Sequence, residues 1–389
     1  MASEMTLNFS FETTPHVIQE TGGASRLPAL AAGLGAKAPM IVTDAGLVKS
    51  GVLAPVLAAF AAAGQPVEVF TDVQADPPEA VVLATVDAAR AAGADVIIGI
   101  GGGSSMDTAK LVALLVGAPQ ALPDIYGIGL AHGPRLPLIQ VPTTAGTGSE
   151  VTPISIVTTP THEKKGVVSP LLYPDIALLD ASLTLGLPAP VTAATGIDAM
   201  VHAIEAYTSK HKKNAVSDAL ALQALRLLAG NMDRVIADGT DVDARSAMLQ
   251  GSMLAGMAFA NAPVAAVHAL AYPLGGHFHV PHGLSNALVL TPVLHFNKPA
   301  ATTLYAELAG VVLPGQRFAS AYAAADAFIA FMQEMVARMP FAQRLAEVGV
   351  TEADLERLAV DAMKVERLLM NNPRPVTQAD AFAIYQSVL

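Results

Sequence analysis

Short, continuous apolar runs alternate with longer segments of helical periodicity through the first half of the chain. The apolar runs predict four strands, at 39–44, 66–73, 96–101 and 136–143. The segments between them predict helices, at about 52–63, 78–92 and 103–115. Apolar strands separated by helices are typical of a parallel sheet covered on both faces. Ahead of this sheet, residues 7–12 and 17–20 predict an added hairpin.

The pattern changes near Pro188, because β-branched runs bounded by turns almost disappear beyond it. Helical periodicity prevails instead in six segments, at 193–209, 217–229, 243–259, 263–272, 321–335 and 350–363. A chain of 389 residues is also longer than one hydrophobic core usually accommodates. We therefore predict a Rossmann-like α/β domain over residues 1–186 and an all-helical domain over residues 187–389.

Composition excludes several classes of protein. The formal charge of −11, with no run of lysines or arginines, argues against a nucleic-acid or anionic-membrane surface. The absence of cysteine excludes disulfides and thiolate metal sites, and with them the zinc dehydrogenases that use cysteine ligands. The N-terminal segment has neither a basic region nor an apolar core, so we expect no signal peptide and a cytoplasmic location.

One long stretch contains no acidic residue, no lysine and no arginine. Between Ser246 and Asn297 there is no Asp, Glu, Lys or Arg. A membrane span needs about 20 continuous apolar residues, whereas Pro263, His268 and Pro273 interrupt this stretch. We interpret it as helices buried around a polar site rather than as a membrane segment.

A glycine run lies between a predicted buried strand and a predicted helix. Gly101, Gly102 and Gly103, followed by Ser104, would let the backbone approach a pyrophosphate, and the free N–H groups of the helix start would bind its charge. The spacing from Gly99 nearly matches the dinucleotide fingerprint. It departs from the usual Rossmann pattern because the run follows the third predicted strand, and no acidic residue ends a strand about 20 residues later.

A second loop rich in hydroxyl groups follows the next predicted strand. Thr143, Thr144, Thr147 and Ser149 could donate hydrogen bonds to phosphates and to a nicotinamide without blocking a flat ring. A plain turn is the competing interpretation.

Asp44 ends an earlier predicted strand. There it could bond both hydroxyls of a ribose and repel a 2′-phosphate, which would favour NAD over NADP. Capping of the following helix explains an aspartate at this position equally well. In the segment after the second loop, Lys164 or Lys165 could reach a ribose or a phosphate, although an exposed lysine is the more frequent outcome.

Four residues have the spacing of a metal site. Asp198 and His202 are four apart and would share one face of a helix, while His268 and His282 arrive from later segments. One carboxylate and three imidazoles suit iron(II) or zinc and leave room for a substrate oxygen. Any one of these residues alone would pass as an ordinary helix residue, but the four together favour a metal centre.

The chain resembles the iron-dependent, group III alcohol dehydrogenases. Four motifs carry the resemblance in the expected order: GGGSSMDTAK at 101–110, PTTAGTGSE at 142–150, TGIDAMVHAIEAY at 195–207 and AVHALAYPLGGHFHVPHG at 266–283. The resemblance implies a dinucleotide-binding domain followed by a helical metal domain, as in the dehydroquinate synthase architecture. The active site would then lie between the two domains.

The resemblance also implies roles for individual residues. The metal ligands would be Asp198, His202, His268 and His282, a complete set that the metal-free maleylacetate reductases lack. The cofactor-binding residues would be Asp44, Gly101, Gly102, Gly103, Ser104, Asp107, Thr143, Thr144, Thr147, Ser149 and Lys165, with Lys110 behind the glycine loop.

One position departs from many relatives. A histidine is common four residues after the third ligand, where this chain has Tyr272. A tyrosine could hold a water or a hydroxyl group, but an ordinary pKa near 10 makes it a poor base at neutral pH. His277 and His279 could replace the missing histidine, although each is as readily a surface or packed residue.

We therefore expect an NAD-dependent oxidoreductase that interconverts primary alcohols and aldehydes at iron(II), with zinc as the alternative ion, and that forms a homodimer. Another dehydrogenase of polyols or hydroxyacids, or a transhydrogenase on the same scaffold, is the nearest alternative. A redox-inactive regulator that binds NAD or metal is a more distant one. Phe259, Met253 and Met257 could form an apolar substrate wall, but their helical spacing fits core packing equally well.

Overall fold

The computed structural model describes residues 8–161 and 163–389. These residues divide into two compact units. The sheet unit contains Glu12–Leu187 and Gly239–Met253, and the helical unit contains Pro188–Asp238 and Leu254–Leu389, with residues 8–11. The domain border at 186/187 stays a prediction.

The sheet unit is built on six parallel strands in the order β1-β9-β6-β4-β2-β3. A second, three-stranded sheet has the order β5-β8-β7. The strands are β1 His16–Gln19, β2 Pro39–Val42, β3 Glu68–Phe70, β4 Val96–Gly101, β5 Gly127–Ile128, β6 Leu138–Pro142, β7 Ile154–Thr158, β8 Lys164–Val168 and β9 Ile176–Leu179. β2, β4, β6 and β9 are buried along their whole length, as expected for a sheet covered on both faces.

The predicted hairpin at 7–12 and 17–20 is wrong. Residues 8–12 form no strand, and residue 7 lies outside the described part of the chain. β1 pairs in parallel with β9, where His16 lies opposite Ile176, and so forms one edge of the large sheet. The partner strand is about 160 residues away in sequence, so no local pattern near residue 16 could indicate the pairing.

In the described part of the chain, five α-helices lie wholly within the sheet unit: α1 Leu27–Gly33, α2 Ala45–Lys49, α3 Ala54–Ala62, α4 Glu79–Ala91 and α5 Gly103–Gly117. Two apolar clusters fill the unit, one containing residues of α4 and α5 and the other containing residues of α1 and α3. Both clusters contain residues of β2, β4 and β6. The strand-to-helix turn that carries the glycine run, from β4 into α5, is therefore held on a rigid core.

Helices α6 to α14 are α6 Ala189–Thr208, α7 Ala215–Ala237, α8 Val242–Asn261, α9 Ala266–Phe278, α10 His282–Val312, α11 Ala321–Ala337, α12 Leu355–Met363, α13 Glu366–Leu369 and α14 Gln378–Gln386. The 31-residue α10 was not predicted, because Pro292 and Pro299 lie inside it and proline normally ends a helical pattern. α6 is buried along nearly its whole length and packs against α7 and α10.

Within residues 8–161 and 163–389, no single helix is long and apolar enough to cross a bilayer; α8 and α9 reach that length and composition only as a bent pair.

Candidate functional site

The helical unit brings together the four residues that the sequence predicts as metal ligands. Asp198 and His202 lie one turn apart on α6, His268 lies in the first turn of α9, and His282 is the first residue of α10. Each offers one ligand atom, and these four atoms all lie within 4.8 Å of one another. Three separate helices therefore converge on one point.

The spacing of the ligand atoms suits a single small cation. His268 Nε2 lies 3.0 Å from His202 Nε2 and 3.7 Å from Asp198 Oδ1. His282 Nε2 lies 3.6 Å from the same carboxylate oxygen. Ligands at 2.0–2.1 Å from a tetrahedral ion are about 3.3 Å apart, within this range. The side chain of His282 is 33% exposed, whereas those of Asp198 and His268 are 3% exposed, so solvent reaches the cluster on the His282 side.

A second buried carboxylate adjoins the cluster. Glu205 Oε2 lies 2.7 Å from His268 Nδ1, and Glu205 is only 4% exposed. Glu205 lies on α6, three residues after His202 and so on the same helix face. The sequence contained this signal, a glutamate within an apolar helix at the right spacing, but our sequence analysis did not use it.

Asn286 is the other residue that the sequence analysis missed. It is fully buried on α10, one turn after His282, and its Nδ2 donates to Asp198 Oδ1 at 2.6 Å. Burial raises the pKa of the Asp198 carboxyl, but the three imidazoles and this amide outweigh burial and hold the pKa below its ordinary value.

The donor set fits a divalent cation. Two carboxylates, Asp198 and Glu205, are buried in one cluster, and burying unpaired charge is costly. Their combined charge equals that of one divalent ion in magnitude. Three imidazoles and a carboxylate match the ligands preferred by iron(II) and zinc, and calcium and magnesium would prefer oxygen ligands instead.

Aromatic side chains border the cluster. Phe259 stacks on His202, with ring centroids 4.3 Å apart, and Tyr272 lies 6.1 Å from the ring centroid of His282. Burial raises the pKa of Tyr272, and the charges of Asp198 and Glu205 raise it further against the opposing effect of Arg367. Tyr272 Oη therefore keeps its proton at neutral pH.

The other residues considered near the site have different surroundings. His277 Nε2 lies 2.6 Å from Asp361 Oδ2, and His279 is the exposed residue that follows α9. Neither His277 nor His279 has a described contact with the four-residue cluster. On α8, Met253 is buried and Met257 is half-buried.

Gly283 allows α10 to begin against α6. A Cβ atom at this position would lie 2.4 Å from the carbonyl oxygen of Ala194 and 2.7 Å from its carbonyl carbon. These are backbone atoms of α6, which cannot move aside as the end of a flexible side chain can. The glycine therefore sets the distance between His282, its neighbour in sequence, and Asp198 on α6.

In the sheet unit, the two predicted cofactor loops lie side by side. The glycine run forms the start of α5, with Gly102 as the residue before its first turn. A Cβ atom at Gly103 would lie 2.9 Å from Thr147 Cγ2, and one at Gly102 would lie 3.7 Å from Thr144 Oγ1. Thr143 N–H donates to the carbonyl of Gly101 at 2.9 Å. Backbone N–H groups and hydroxyls therefore line one small region.

A buried polar network fixes the threonine loop to α5. Lys110 Nζ donates to Ser149 Oγ at 2.8 Å and to the carbonyl of Ile154 at 2.7 Å. Ser149 Oγ in turn donates to Asp107 Oδ1 at 2.6 Å, and Ile156 N–H donates to Asp107 Oδ2 at 2.9 Å. The polar groups of Asp107 and Ser149 are thus engaged inside the protein.

Burial shifts the pKa of the charged groups in this network. Desolvation lowers the pKa of Lys110 to about 8, and it raises that of Glu150 to about 7. It also raises the pKa of Asp107, against the opposing charge of Lys110. Burial therefore disfavours the charged form of all three groups.

Asp44 caps a helix in the structure. The N–H groups of Gly46 and Leu47, in the first turn of α2, donate to Asp44 Oδ1 at 2.8 and 3.1 Å. Both bonds use Oδ1, and the second oxygen, Oδ2, can accept from a ribose hydroxyl. The capping interpretation is thus confirmed, and the ribose interpretation stays a prediction.

Lys165 is exposed on β8 and forms an ion pair with Glu163 at 2.9 Å. Its neighbour Lys164 is connected to Ser104 of the glycine run through Asp76. Lys164 Nζ lies 2.7 Å from Asp76 Oδ1, and Asp76 N–H donates to Ser104 Oγ at 3.2 Å. A cofactor contact by Lys165 stays a prediction.

Two family models match almost the whole chain. The model described as "Iron-containing alcohol dehydrogenase" matches residues 14–181, and the model described as "Fe-containing alcohol dehydrogenase family, C-terminal" matches residues 192–389. The long-chain-alcohol dehydrogenase 1 of Geobacillus thermodenitrificans is 41% identical over 91% of this chain and 90% of its own length.

Solved structures show the same fold. A crystal structure of a 1,3-propanediol oxidoreductase has a TM-score of 0.94 and 34% identity, covering 98% of this chain and 100% of that one. The sulfoacetaldehyde reductase of Bifidobacterium kashiwanohense, in complex with NAD+, has a TM-score of 0.87 and 29% identity, covering 98% and 99%. These relatives act on alcohols or aldehydes that differ in length and charge.

The close approach of Gly283 to α6 predicts that a side chain at this position weakens metal binding. Gly283→Ala should push α10 away from α6 and separate His282 from Asp198, which should weaken metal binding at least about 10-fold. Metal affinity measured by chelator competition tests this. The matched control is Gly310→Ala in the same helix, where a Cβ atom has no neighbour within 4 Å. Equal metal affinity in the two variants would contradict the account.

The buried Glu150 predicts that the stability of the protein depends on pH. Because folding raises the pKa of Glu150 from 4.5 to about 7, the folded protein keeps a proton that the unfolded chain releases between these pH values. The stabilising contribution is present below pH 4.5 and is lost as the pH rises to about 7.

Glu150→Gln cannot ionise, so its stability relative to the wild type should rise between pH 4.5 and 7, by at most about 3 kcal/mol. Melting temperatures of the metal-free proteins across this range provide the measurement. The exposed Glu68→Gln controls for the loss of one negative charge. A difference between Glu150→Gln and wild type that does not vary with pH would refute the prediction.

Proposed function

The chain belongs to the iron-containing alcohol dehydrogenase family, and from that premise we propose that Asp198, His202, His268 and His282 hold its ferrous ion. The protein is an NAD-dependent oxidoreductase that interconverts alcohols and aldehydes. The observation that carries the site assignment is the convergence of four ligand atoms within 4.8 Å of one another.

A bound divalent cation supplies a Lewis acid that lowers the pKa of an alcohol hydroxyl and, in the reverse direction, polarises an aldehyde carbonyl. The residues around it contribute orientation and exclusion of water. The imidazoles of His202 and His268 and the carboxylate of Asp198 are buried, so their donor atoms are held in fixed directions. Phe259, stacked on His202, shields that side of the cluster from water.

Tyr272 has a limited role in this proposal. Its raised pKa excludes Tyr272 as a base at neutral pH. Its Oη therefore acts as a hydrogen-bond donor to the oxygen of a water or a hydroxyl group near His282. We assign no role in the reaction to His277 or to Asp361 beside it.

In the sheet unit, we assign the start of α5 to the pyrophosphate of NAD. The backbone N–H groups of Gly102, Gly103 and Ser104 bind its negative charge, as at other helix N-termini. Thr144 and Thr147 border this position, and the hydrogen bond from Thr143 N–H to the carbonyl of Gly101 joins the two loops beside it. We assign Asp107 and Ser149 the task of fixing the loop from inside the protein, together with Lys110.

We propose primary alcohols of short to medium length as substrates. The apolar face of Phe259 beside His202 supports this choice. The relatives named for long-chain alcohols, 1,3-propanediol and sulfoacetaldehyde show that the scaffold admits several substrate classes. A panel of alcohols and aldehydes compared by kcat/KM would rank the substrates directly.

Three further assignments are proposals as well. Zinc can occupy the same donor set as iron, because it generally binds such sites more tightly. A homodimer is supported by β1, an edge strand whose unpaired backbone groups can pair with a second copy. A cytoplasmic location is the third proposal, and dependence on NAD supports it.

Removal of a ligand tests the metal site. Asp198→Ala and His268→Ala should each lose most of the bound iron on dialysis against a chelator and should lose turnover, because a buried ligand is missing. Binding of NAD should persist in both variants, as the cofactor loops lie in the sheet unit. The control is Asp87→Ala, at a side chain that is 79% exposed. Wild-type activity of either ligand variant after dialysis would refute the assignment.

Two substitutions of Asp44 separate its two roles. Asp44→Asn keeps an oxygen that can cap α2 but removes the charge, whereas Asp44→Ala removes both. If the charge repels a 2′-phosphate, both variants should raise kcat/KM for NADP relative to NAD by about 10-fold. Only Asp44→Ala should lose about 1 kcal/mol of stability. An unchanged cofactor preference in both variants would leave capping as the only function of Asp44.

A further inference from the structure

One carboxylate joins α6 to the start of α9. Glu205 Oε2 accepts from Ala265 N–H at 2.9 Å and lies 2.7 Å from His268 Nδ1. Glu205 Oε1 accepts from Val267 N–H at 2.7 Å. Two backbone donors and one imidazole nitrogen therefore surround the two oxygens of a side chain that is 4% exposed.

This arrangement determines which nitrogen of His268 carries hydrogen. Both oxygens of Glu205 already accept from backbone N–H groups, so the side chain acts as an acceptor towards His268 as well. His268 Nδ1 must then donate, and in a neutral ring the lone pair lies on Nε2. Nε2 is the atom that faces His202 and Asp198, at 3.0 and 3.7 Å.

The same carboxylate replaces the cap that α9 lacks. Ala265, the residue before the first turn, has no side chain that can accept from the helix N–H groups, and no side-chain capping bond is made there. Free N–H groups at a buried helix start need partners. Glu205 supplies them from another helix, so the position of the α9 backbone and the orientation of the His268 ring depend on one group.

We propose that Glu205 is the positioning residue of the metal centre: it fixes His268 in the tautomer that offers Nε2 to the ion and holds the start of α9 at the matching distance. The proposal rests on the proposed function, in which His268 is a ligand. Glu205 contacts neither substrate nor cofactor in this account and acts only through His268.

Glutamine at this position would keep the shape but not the chemistry. Its amide nitrogen would face either Val267 N–H or the pair formed by Ala265 N–H and His268 Nδ1. In the first case one cap of α9 is lost. In the second, His268 must accept at Nδ1 and carry its hydrogen on Nε2, which blocks that atom as a ligand. Aspartate has the opposite properties, because it keeps two acceptor oxygens but is shorter by one methylene.

The experiment compares Glu205→Gln and Glu205→Asp with the wild type. Iron(II) and zinc affinities are measured by chelator competition without air, and the tautomer of His268 is read in the metal-free proteins by nitrogen NMR of labelled histidine, assigned with His268→Asn. Glu205→Gln should bind either ion about 10- to 100-fold more weakly, with hydrogen on Nε2 of His268 if its amide nitrogen faces that ring, or with a cap of α9 lost if the nitrogen faces Val267 N–H. Glu205→Asp should bind more tightly than Glu205→Gln and keep hydrogen on Nδ1.

The control is another buried carboxylate with a purely structural task. Asp180 is fully buried and accepts from the N–H groups of Gly22, Ala24 and Ser182, with no histidine beside it. Asp180→Asn should lower the melting temperature and leave metal affinity unchanged. A Glu205→Gln variant that only melts earlier, as Asp180→Asn does, would overturn the proposal.

Failure of this proposal is distinguishable from failure of the proposed metal site. If Asp198→Ala loses the ion while Glu205→Gln binds it within twofold of the wild type, the metal site stands and the role of Glu205 is wrong. If Asp198→Ala also binds as tightly as the wild type, the metal site is wrong and the role of Glu205 falls with it. Metal affinity that follows side-chain shape, with glutamine better than aspartate, would also refute the role.

Discussion

The helical unit is organised by the cost of burying two carboxylates close together. Asp198 and Glu205 lie on one face of α6, inside an apolar bundle, where an unpaired charge costs several kcal/mol. Asn286, the backbone of α9 and the imidazoles offset part of this cost. In the metal centre that we propose, a divalent cation offsets the rest. The convergence of three helices on one point is therefore a consequence of charge as much as of apolar packing.

The sheet unit also buries charged groups, and there oppositely charged side chains of the same unit lie close together. Lys110, Asp107 and Glu150 are buried close to Ser149, and hydrogen bonds and opposite charges offset only part of their desolvation, which still shifts all three pKa values against the charged forms. In both units, a buried polar network holds the backbone that carries the chemistry: the threonine loop in one unit and the start of α9 in the other. In the function that we propose, the groups that react are thus distinct from the groups that position them.

The sequence predicted what local periodicity can encode. The continuous apolar runs indicated the central strands, and the four-residue spacing of Asp198 and His202 indicated a shared helix face. The pairing of β1 with β9 could not be predicted, since it joins segments that lie far apart in sequence. The length of α10 was hidden by its internal prolines. The sequence shows that Glu205 shares a helix face with His202, but its contacts with Ala265 and His268 arise only where α9 packs beside α6.

The most direct test of the account is anomalous diffraction on both sides of the iron absorption edge, from crystals grown without air. We expect one iron atom bound by the Asp198 carboxylate and by one ring nitrogen each of His202, His268 and His282, at about 2.0–2.2 Å. An iron atom bound elsewhere, or a well-ordered cluster whose four side chains point apart, would contradict it.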